Sequence, residues 1–213
     1  VIYLSTRVYQ NYIYKNFILA NGTDGGAQNY GIRIVINSFN NYLYDNIIKS
    51  HSDAGDGIRI DLNSSGNFIY SNNVTTTNRS AAGLLLASKT YNNTIYDNNF
   101  TASGSTSYGI ELATNVSNNT FFRNIISSVS RGISIDGATK TTTSNPEETR
   151  WNYFTNDTIV PCTSGCEDNY FDISVVNNAT DIILLNVSFN KSRISMMSGN
   201  GADRVEKNNL TVK

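Results

Sequence analysis

The sequence has 213 residues, 39% of them hydrophobic, and a formal net charge of -1. A chain so close to neutral offers no basic stripe to neutralise phosphates, which argues against nucleic-acid binding. No apolar stretch approaches the roughly 18 residues of a membrane span, so we expect no membrane insertion in this segment. Asparagine is the compositional outlier, with 32 residues.

A six-residue motif that begins and ends with asparagine recurs along the chain. It reads Asn11-Tyr-Ile-Tyr-Lys-Asn16 and returns at residues 41–46, 67–72, 93–98 and 119–124. A last copy, residues 152–157, has its second asparagine one place early. Copies at 41, 67, 93 and 119 start 26 residues apart. Internal periods of about 20–50 residues indicate a solenoid, a propeller or an array.

A glycine motif follows the asparagine motif in step. Its copies are Gly31-Ile-Arg-Ile, Gly57-Ile-Arg-Ile, Gly83-Leu-Leu-Leu, Gly109-Ile-Glu-Leu and Gly132-Ile-Ser-Ile, and the first four are also 26 residues apart. Short alternating segments bounded by Gly, Asn, Ser and Thr are typical of strands and turns. A propeller blade needs about 40 residues or more. The sequence therefore predicts an all-β, right-handed parallel β-helix of about eight coils, one coil per repeat.

Taken in chain order, residues 1–213 form a single predicted domain. Regular coils span residues 11–137, a polar loop spans 138–150, and irregular coils span 151–213. The sequence opens in mid-pattern at Val1, without an initiator methionine. We expect it to be cut from a longer secreted protein.

Strand alternation assigns three sets of inward-facing residues. They are Ile13, Leu43, Ile69, Ile95 and Phe121; Ile18, Ile48, Val74, Phe100 and Ile126; and the paired apolar residues of each glycine motif. The second asparagines of the motif, Asn16, Asn46, Asn72, Asn98 and Asn124, are predicted to stack as a side-chain amide ladder.

An aromatic column is predicted on the outward side of the asparagine-motif strands. It consists of Tyr14, Tyr44, Tyr70, Tyr96 and Phe122, with a less regular second column of Tyr12, Tyr42, Phe68 and Tyr153. Rings about 4.8 Å apart suit offset stacking. An exposed aromatic stripe also suits a ligand or a partner. Both interpretations stay open.

The two motifs resemble the parallel β-helix repeat of pectate-lyase-like proteins and of the periplasmic NosD-like proteins, most closely over residues 11–136. That superfold carries lyases, hydrolases, epimerases, adhesins and structural surface proteins. In pectate-lyase-like enzymes, acidic and basic site residues project from one face of the β-helix. The resemblance implies Arg59, Asp61, Glu111 and Asp136 as candidate catalytic residues.

Several features argue against catalysis on this face. The paired-Asp, Gly-His-Gly and Arg-x-Lys signatures of polygalacturonases are missing, and Leu85, Ala87 and Ala113 interrupt the charged residues. Salt bridges from Arg33 or Arg59 to Asp61 would also explain the charges. Asp61 and Glu111 are two coils apart, about 10 Å, at or beyond the roughly 6.5–9.5 Å of an inverting glycosidase.

Three turn aspartates, Asp24, Asp53 and Asp56, make calcium the one cofactor that the sequence allows. Ordinary solvated turn aspartates are the favoured explanation, so we predict no bound cofactor and keep calcium as the alternative. Copper, which the NosD-like resemblance suggests, would need a cluster of His, Met or Cys. His51, Met196 and Met197 are scattered, so we expect no copper site.

Two features point to an oxidising, extracellular or cell-surface location. Cys162 and Cys166 are predicted to form a disulfide. Thirteen asparagines open an N-x-[ST] sequon and are candidates for N-glycosylation: Asn21, Asn63, Asn73, Asn78, Asn92, Asn99, Asn115, Asn118, Asn156, Asn178, Asn186, Asn190 and Asn209. An asparagine-rich repeat also generates sequons passively.

These observations favour a non-catalytic secreted or cell-surface module, structural or adhesive, that contacts polysaccharide or a cell-surface protein. The alternative is a polysaccharide lyase or a glycoside hydrolase that uses the face of the glycine strands.

Overall fold

The computed structural model describes residues 1–22, 29–137, 149–177, 179, 181–197 and 211–212. These residues form parallel strands stacked as a β-solenoid, which confirms the predicted fold class. One 3₁₀ turn, Lys191–Arg193, is the single helical element that they contain. Most of the predicted loop at 138–150 lies outside the described residues.

Three parallel sheets form the walls of the solenoid. The Gly-strand sheet contains, in order, Ile2–Ser5, Ile32–Val35, Ile58–Ile60, Ala82–Leu86, Tyr108–Leu112, Arg131–Asp136, Phe171–Val176 and Ile194–Met197. The Tyr-strand sheet contains Tyr12–Tyr14, Tyr42–Tyr44, Phe68–Tyr70, Thr94–Tyr96, Thr120–Phe122, Tyr153–Thr155, Ile183–Leu185 and Thr211–Val212. The third sheet contains Phe17–Ala20, Ile47–Ser50, Asn73–Thr76, Asn99–Ala102, Ile125–Ser128 and Thr158–Val160. Thr90–Tyr91 and Val116–Ser117 form a short additional pair.

The solenoid has about six turns, so the predicted count of eight coils was too high. The third sheet has six strands, whereas each of the other two has eight. Dividing chain length by the period counted the terminal segments as full coils. Four terminal strands extend the first two sheets without a counterpart strand in the third: Ile2–Ser5, Ile183–Leu185, Ile194–Met197 and Thr211–Val212.

The register follows the sequence period. Ile58 pairs with Ile32 on one side and with Leu84 on the other. In the Tyr-strand sheet, Tyr70 lies between Tyr44 and Tyr96. A residue and its equivalent 26 positions later are therefore neighbours on adjacent coils, as predicted.

The inward columns form one continuous hydrophobic core, as the alternation predicted. Leu43, Ile69, Ile95 and Phe121 are completely buried. Phe154 extends this column, with its ring centroid 4.4 Å from that of Phe121. Each such side chain contributes about 1.5–3 kcal/mol through burial, so the core stabilises the fold coil by coil.

The glycine in each of the five copies of the glycine motif lies where the backbone is closely packed. A Cβ added to Gly57 would lie 2.1 Å from Cγ1 of Val74 and 2.8 Å from the carbonyl oxygen of Gly83. Equivalent contacts surround Gly31, Gly83 and Gly109. The motif begins with glycine because the third sheet and the next coil leave no space for a side chain.

Two asparagine ladders run along the solenoid, one at each end of the Tyr strands. In the predicted ladder, Nδ2 of Asn46 donates to Oδ1 of Asn72 at 2.9 Å, and Asn72 donates in the same way to Asn98 at 3.0 Å. The backbone N–H of Asn46 also donates to Oδ1 of Asn72, at 3.1 Å. A second ladder joins the first asparagines of the motif: Asn11, Asn41, Asn67, Asn93, Asn119 and Asn152. This second ladder was not predicted from the sequence, although the shared period of the first asparagines was the signal for it.

The residue before each ladder asparagine adopts a left-handed backbone conformation. Asp45, Ser71, Asp97 and Arg123 all have φ between 53° and 56°. One left-handed residue turns the chain sharply from the Tyr strand into the strand of the third sheet. The following asparagine then holds the corner by hydrogen bonds.

Asp157 ends the predicted ladder, the one that contains Asn124, and this corrects our alignment of the last motif copy. Asn156 is not an early ladder residue, because it occupies the left-handed corner with φ 54°. Asp157 takes the ladder position, and its Oδ1 accepts from N and Nδ2 of Asn124 at 2.7 and 2.9 Å. Its Oδ2 is buried without a partner. Burial raises the pKa of Asp157 to about 6, although hydrogen bonds from Asn124 and Thr155 act in the opposite direction.

The predicted disulfide between Cys162 and Cys166 is formed. Nη1 of Arg193 donates to the carbonyl of Cys162 at 3.3 Å, and the guanidinium lies over the Tyr170 ring. The Tyr170 hydroxyl donates in turn to the buried carboxylate of Asp172 at 2.6 Å. These contacts attach the disulfide loop to the last described coils.

No helix among the described residues has the length and apolarity to cross a membrane.

Candidate functional site

The predicted aromatic column lies on the outer face of the Tyr-strand sheet. Each of its first five strands has three residues, and in each the middle side chain is buried while the two flanking side chains point outward. The third residues are Tyr14, Tyr44, Tyr70, Tyr96 and Phe122. Parallel pairing in register brings all five into one line.

The five rings stack face to face. Centroids of successive rings are 5.0, 4.9, 4.9 and 4.7 Å apart, and their planes differ by 6° or less. Each inner ring therefore has both faces against its neighbours and directs its edge to solvent. At the Phe122 end, the Arg123 guanidinium lies 4.7 Å from the ring centroid. A sugar ring cannot stack on the faces inside such a column.

The second aromatic column, predicted to be less regular, contains a stack of only three rings among the described residues. Tyr12 stacks on Tyr42 at 4.8 Å, and Tyr42 stacks on Phe68 at 5.0 Å. Thr94 and Thr120 occupy the next two coils. Tyr153, which we placed in this column, lies beside Thr120 and is separated from the stack.

Burial raises the pKa of the phenols of Tyr44, Tyr70 and Tyr96 above the ordinary tyrosine value of 10.0. Neighbouring tyrosines raise the pKa of Tyr44 and Tyr70 further, and Asp97 does so for Tyr96. These hydroxyls are consequently neutral at physiological pH, and each acts as donor and acceptor.

The charged residues of the Gly-strand sheet form a second cluster. Oδ2 of Asp61 accepts from Nη2 of Arg33 at 2.9 Å and from Nε of Arg59 at 2.7 Å. The ring of Tyr30 lies against both guanidinium groups, 5.0 and 5.2 Å from their central carbons. The salt bridges predicted between these arginines and Asp61 are thus present. Asp61 is 2% exposed, so this carboxylate is a buried partner of two cations.

Two further carboxyl groups in the cluster have strongly raised pKa values. Burial raises the pKa of Asp56 to about 7, although its Oδ1 accepts from the Ala82 N–H at 2.9 Å and Arg59 lies nearby. Burial also raises the pKa of Glu111 to about 7, and Asp56 adds to that effect. The Glu111 carboxylate makes no hydrogen bond or ion pair with the described residues.

The four residues proposed by resemblance lie on the Gly-strand sheet but on different coils. Arg59 and Asp61 are bonded to each other, whereas Glu111 lies two strands from Arg59, with Leu85 between them. Asp136 accepts a hydrogen bond from the Asn177 side chain. Between them, Leu85 and Ala87 are buried in a small apolar cluster with Ala82. The pattern missed Tyr108 and Arg131, which bond to each other at 3.2 Å. The Arg131 charge acts to lower the pKa of Glu111. Burial raises the pKa of Tyr108, and the Glu111 charge acts to raise it further.

The candidate calcium ligands are separated as well. Asp56 is buried against Arg59 and the Ala82 N–H, and Asp53 is exposed. Asp24 lies outside the described residues. Within the part of the chain that the structure describes, no group of three or more His, Cys, Asp or Glu side chains is placed to hold a metal.

The sequons lie mainly on the surface. Nine of their asparagines are exposed: Asn21, Asn63, Asn73, Asn92, Asn99, Asn118, Asn156, Asn186 and Asn190. Asn78 and Asn115 are half-buried, and Asn178 and Asn209 lie outside the described residues. No ladder asparagine belongs to this set, because the second residue after it is a core side chain such as Leu43 or Ile48.

Comparison of the chain with protein-family models, curated proteins and solved structures finds no match. The resemblance to pectate-lyase-like and NosD-like proteins accordingly rests on the repeat motifs and on the β-solenoid that they form.

Proposed function

We propose that this chain is a non-catalytic module of a secreted or cell-surface protein, a rigid scaffold that binds polysaccharide through its Tyr-strand sheet. The observation that carries the proposal is the column of five stacked aromatic side chains on an outer sheet face. A contiguous aromatic surface of this kind is typical of an interaction site.

Rigidity supports the scaffold role. The two asparagine ladders bond each coil to the next through side chains, in addition to the backbone ladders of the sheets. In a solenoid each repeat is stabilised by its neighbours. A binding face fixed at every coil loses little conformational freedom when a ligand binds.

Export is supported by two observations of different kinds. Disulfides such as Cys162–Cys166 persist in oxidising compartments. The exposed sequons are open to modification on the outer surface. These features favour an extracellular or cell-surface location.

The second candidate is a polysaccharide lyase or glycoside hydrolase on the Gly-strand sheet. The raised pKa of Glu111, about 7, favours it because a general acid works best with a pKa near the operating pH. The bonding of Asp61 to two arginines argues against it, since that carboxylate is not free to act as a base or a nucleophile.

A binding screen combined with a turnover assay separates the two candidates. The wild type, Asp61→Ala and Glu111→Gln would be tested on a glycan array and on polygalacturonate, with thermal unfolding to check each variant's fold. We expect binding without turnover, and unchanged binding by Glu111→Gln. Turnover that either substitution abolishes in a folded protein would contradict the proposal.

A further inference from the structure

The outer face of the Tyr-strand sheet offers a row of hydroxyl groups. Because the rings of Tyr14, Tyr44, Tyr70 and Tyr96 cover one another's faces, their edges and phenolic oxygens are what a ligand meets. Successive rings are 4.9–5.0 Å apart, so the row spans about 15 Å parallel to the solenoid axis.

Stacking and backbone hydrogen bonds fix the positions of these hydroxyls. Nδ2 of Asn72 donates to the carbonyl of Tyr70 at 2.9 Å, and Nδ2 of Asn98 donates to that of Tyr96 at 2.9 Å. Asn16 makes the same contact with the carbonyl of Tyr14. Three of the four tyrosines are thus held by the ladder asparagine two residues later. A row preorganised in this way is suited to a long ligand that repeats along one direction.

The charge of the face indicates the chemistry of that ligand. The outward residues of the first five Tyr strands are tyrosine, phenylalanine or threonine, without a charged side chain. Along the adjoining corner, Lys15 and Arg123 are balanced by Asp45 and Asp97. Arg123 is bonded to Asp97 by two contacts of 2.7 Å. A polyanion would find no excess positive charge on this surface.

We propose that the Tyr-strand sheet binds a neutral, linear polysaccharide that lies along the solenoid axis and hydrogen-bonds to the row of tyrosine hydroxyls. This inference rests on the proposed function and specifies its ligand class and binding mode. The ligand contacts ring edges and hydroxyls, and it does not stack on ring faces. Its affinity therefore depends on how many successive coils one chain spans.

The test is affinity electrophoresis of the wild type in gels that contain a soluble β-glucan, a mannan or polygalacturonate. The key variant is the triple substitution Tyr44→Phe, Tyr70→Phe and Tyr96→Phe, which removes hydroxyls and retains the stacked rings. We expect a neutral polymer to retard the wild type and polygalacturonate not to. The triple variant should bind at least about tenfold more weakly, because each lost hydrogen bond costs about twofold to tenfold.

Tyr3→Phe is the matched control, since Tyr3 is 54% exposed but lies in the Gly-strand sheet. It should bind as the wild type does. Two results would overturn this inference: full affinity in the triple variant, or a wild type that prefers polygalacturonate. Either result would leave the proposed function, polysaccharide binding, intact. If the wild type bound no polymer of either class, the proposed function would fail as well.

Discussion

At the scale of single residues, side-chain amides determine how the coils are joined. Asn72 is almost completely buried, and its Nδ2 contacts the carbonyls of Leu43 and Tyr70 as well as Oδ1 of Asn98. Its own Oδ1 accepts from the side chain and the backbone of Asn46. Removing one such amide leaves donors and acceptors unsatisfied in three successive coils.

We expect Asn72→Ala to lower the free energy of unfolding by about 3 kcal/mol, because buried groups lose their hydrogen-bond partners. Urea denaturation followed by circular dichroism measures this loss. The control is Asn73→Ala, at the exposed neighbouring position, which should change stability by about 0.5 kcal/mol or less. Similar losses in both variants would show that the ladder does not stabilise the fold.

Asp157 shows the cost of ending a ladder with a carboxylate. Since its folded pKa of about 6 exceeds the unfolded value of 3.8, the folded state holds the proton more tightly. This group therefore lowers stability as the pH rises from about 4 to about 6, and the loss stays constant above that range.

We expect Asp157→Asn to raise the free energy of unfolding by roughly 2–3 kcal/mol at pH 8 and by little at pH 4. The new amide would continue a series in which Nδ2 of Asn98 bonds Ile69 and Nδ2 of Asn124 bonds Ile95. Urea denaturation at both pH values checks this. Asp168→Asn, at an exposed site, should show no such pH-dependent gain. A variant no more stable at pH 8 than the wild type would contradict the account.

At the scale of elements, close packing allows only glycine at the first position of the glycine motif. This packing restricts the sequence there more than strand propensity does. The glycine motif was recognisable because its period matches that of the asparagine motif. Its physical cause required coordinates, since the side chain that excludes a Cβ at Gly57 belongs to Val74, in the following coil. Sequence spacing alone does not show which strand of the next coil packs against which corner.

Gly57→Ala should destabilise the protein by about 3 kcal/mol, because the methyl group would overlap Val74 and crowd the Gly83 carbonyl. Gly165→Ala is the comparison, as its φ of +66° is left-handed but no atom lies within 4 Å of a new Cβ. It should cost about 1 kcal/mol, from backbone conformation alone. Thermal unfolding of both variants checks that Gly57→Ala loses more stability than Gly165→Ala. A larger loss for Gly165→Ala would show that close packing is not what the motif requires.

At the scale of the whole molecule, the repeated part of the fold was predictable and the interrupted part was not. Core residues such as Leu43 and Phe121 follow from alternation, and the aromatic column follows from five equivalent positions. The number of coils could not be predicted from chain length and period, because terminal strands extend two of the three sheets and not the third. The period did place Leu85 between Arg59 and Glu111. It did not show that Asp56, predicted as a turn residue, is buried against Arg59, because that contact depends on the path of the turn.

The central claim is that one repeat is one turn of the solenoid. Electron spin resonance, pulsed and continuous-wave, tests it directly by measuring the distance between two nitroxide labels. One label is at Lys49, and the other is at one of four residues that follow it in register on successive strands of the third sheet: Thr75, Thr101, Ser127 or Val160. The account predicts mean distances that grow by about 4.8 Å per coil, to roughly 19 Å for Val160. Distances that do not increase evenly along this series would contradict it.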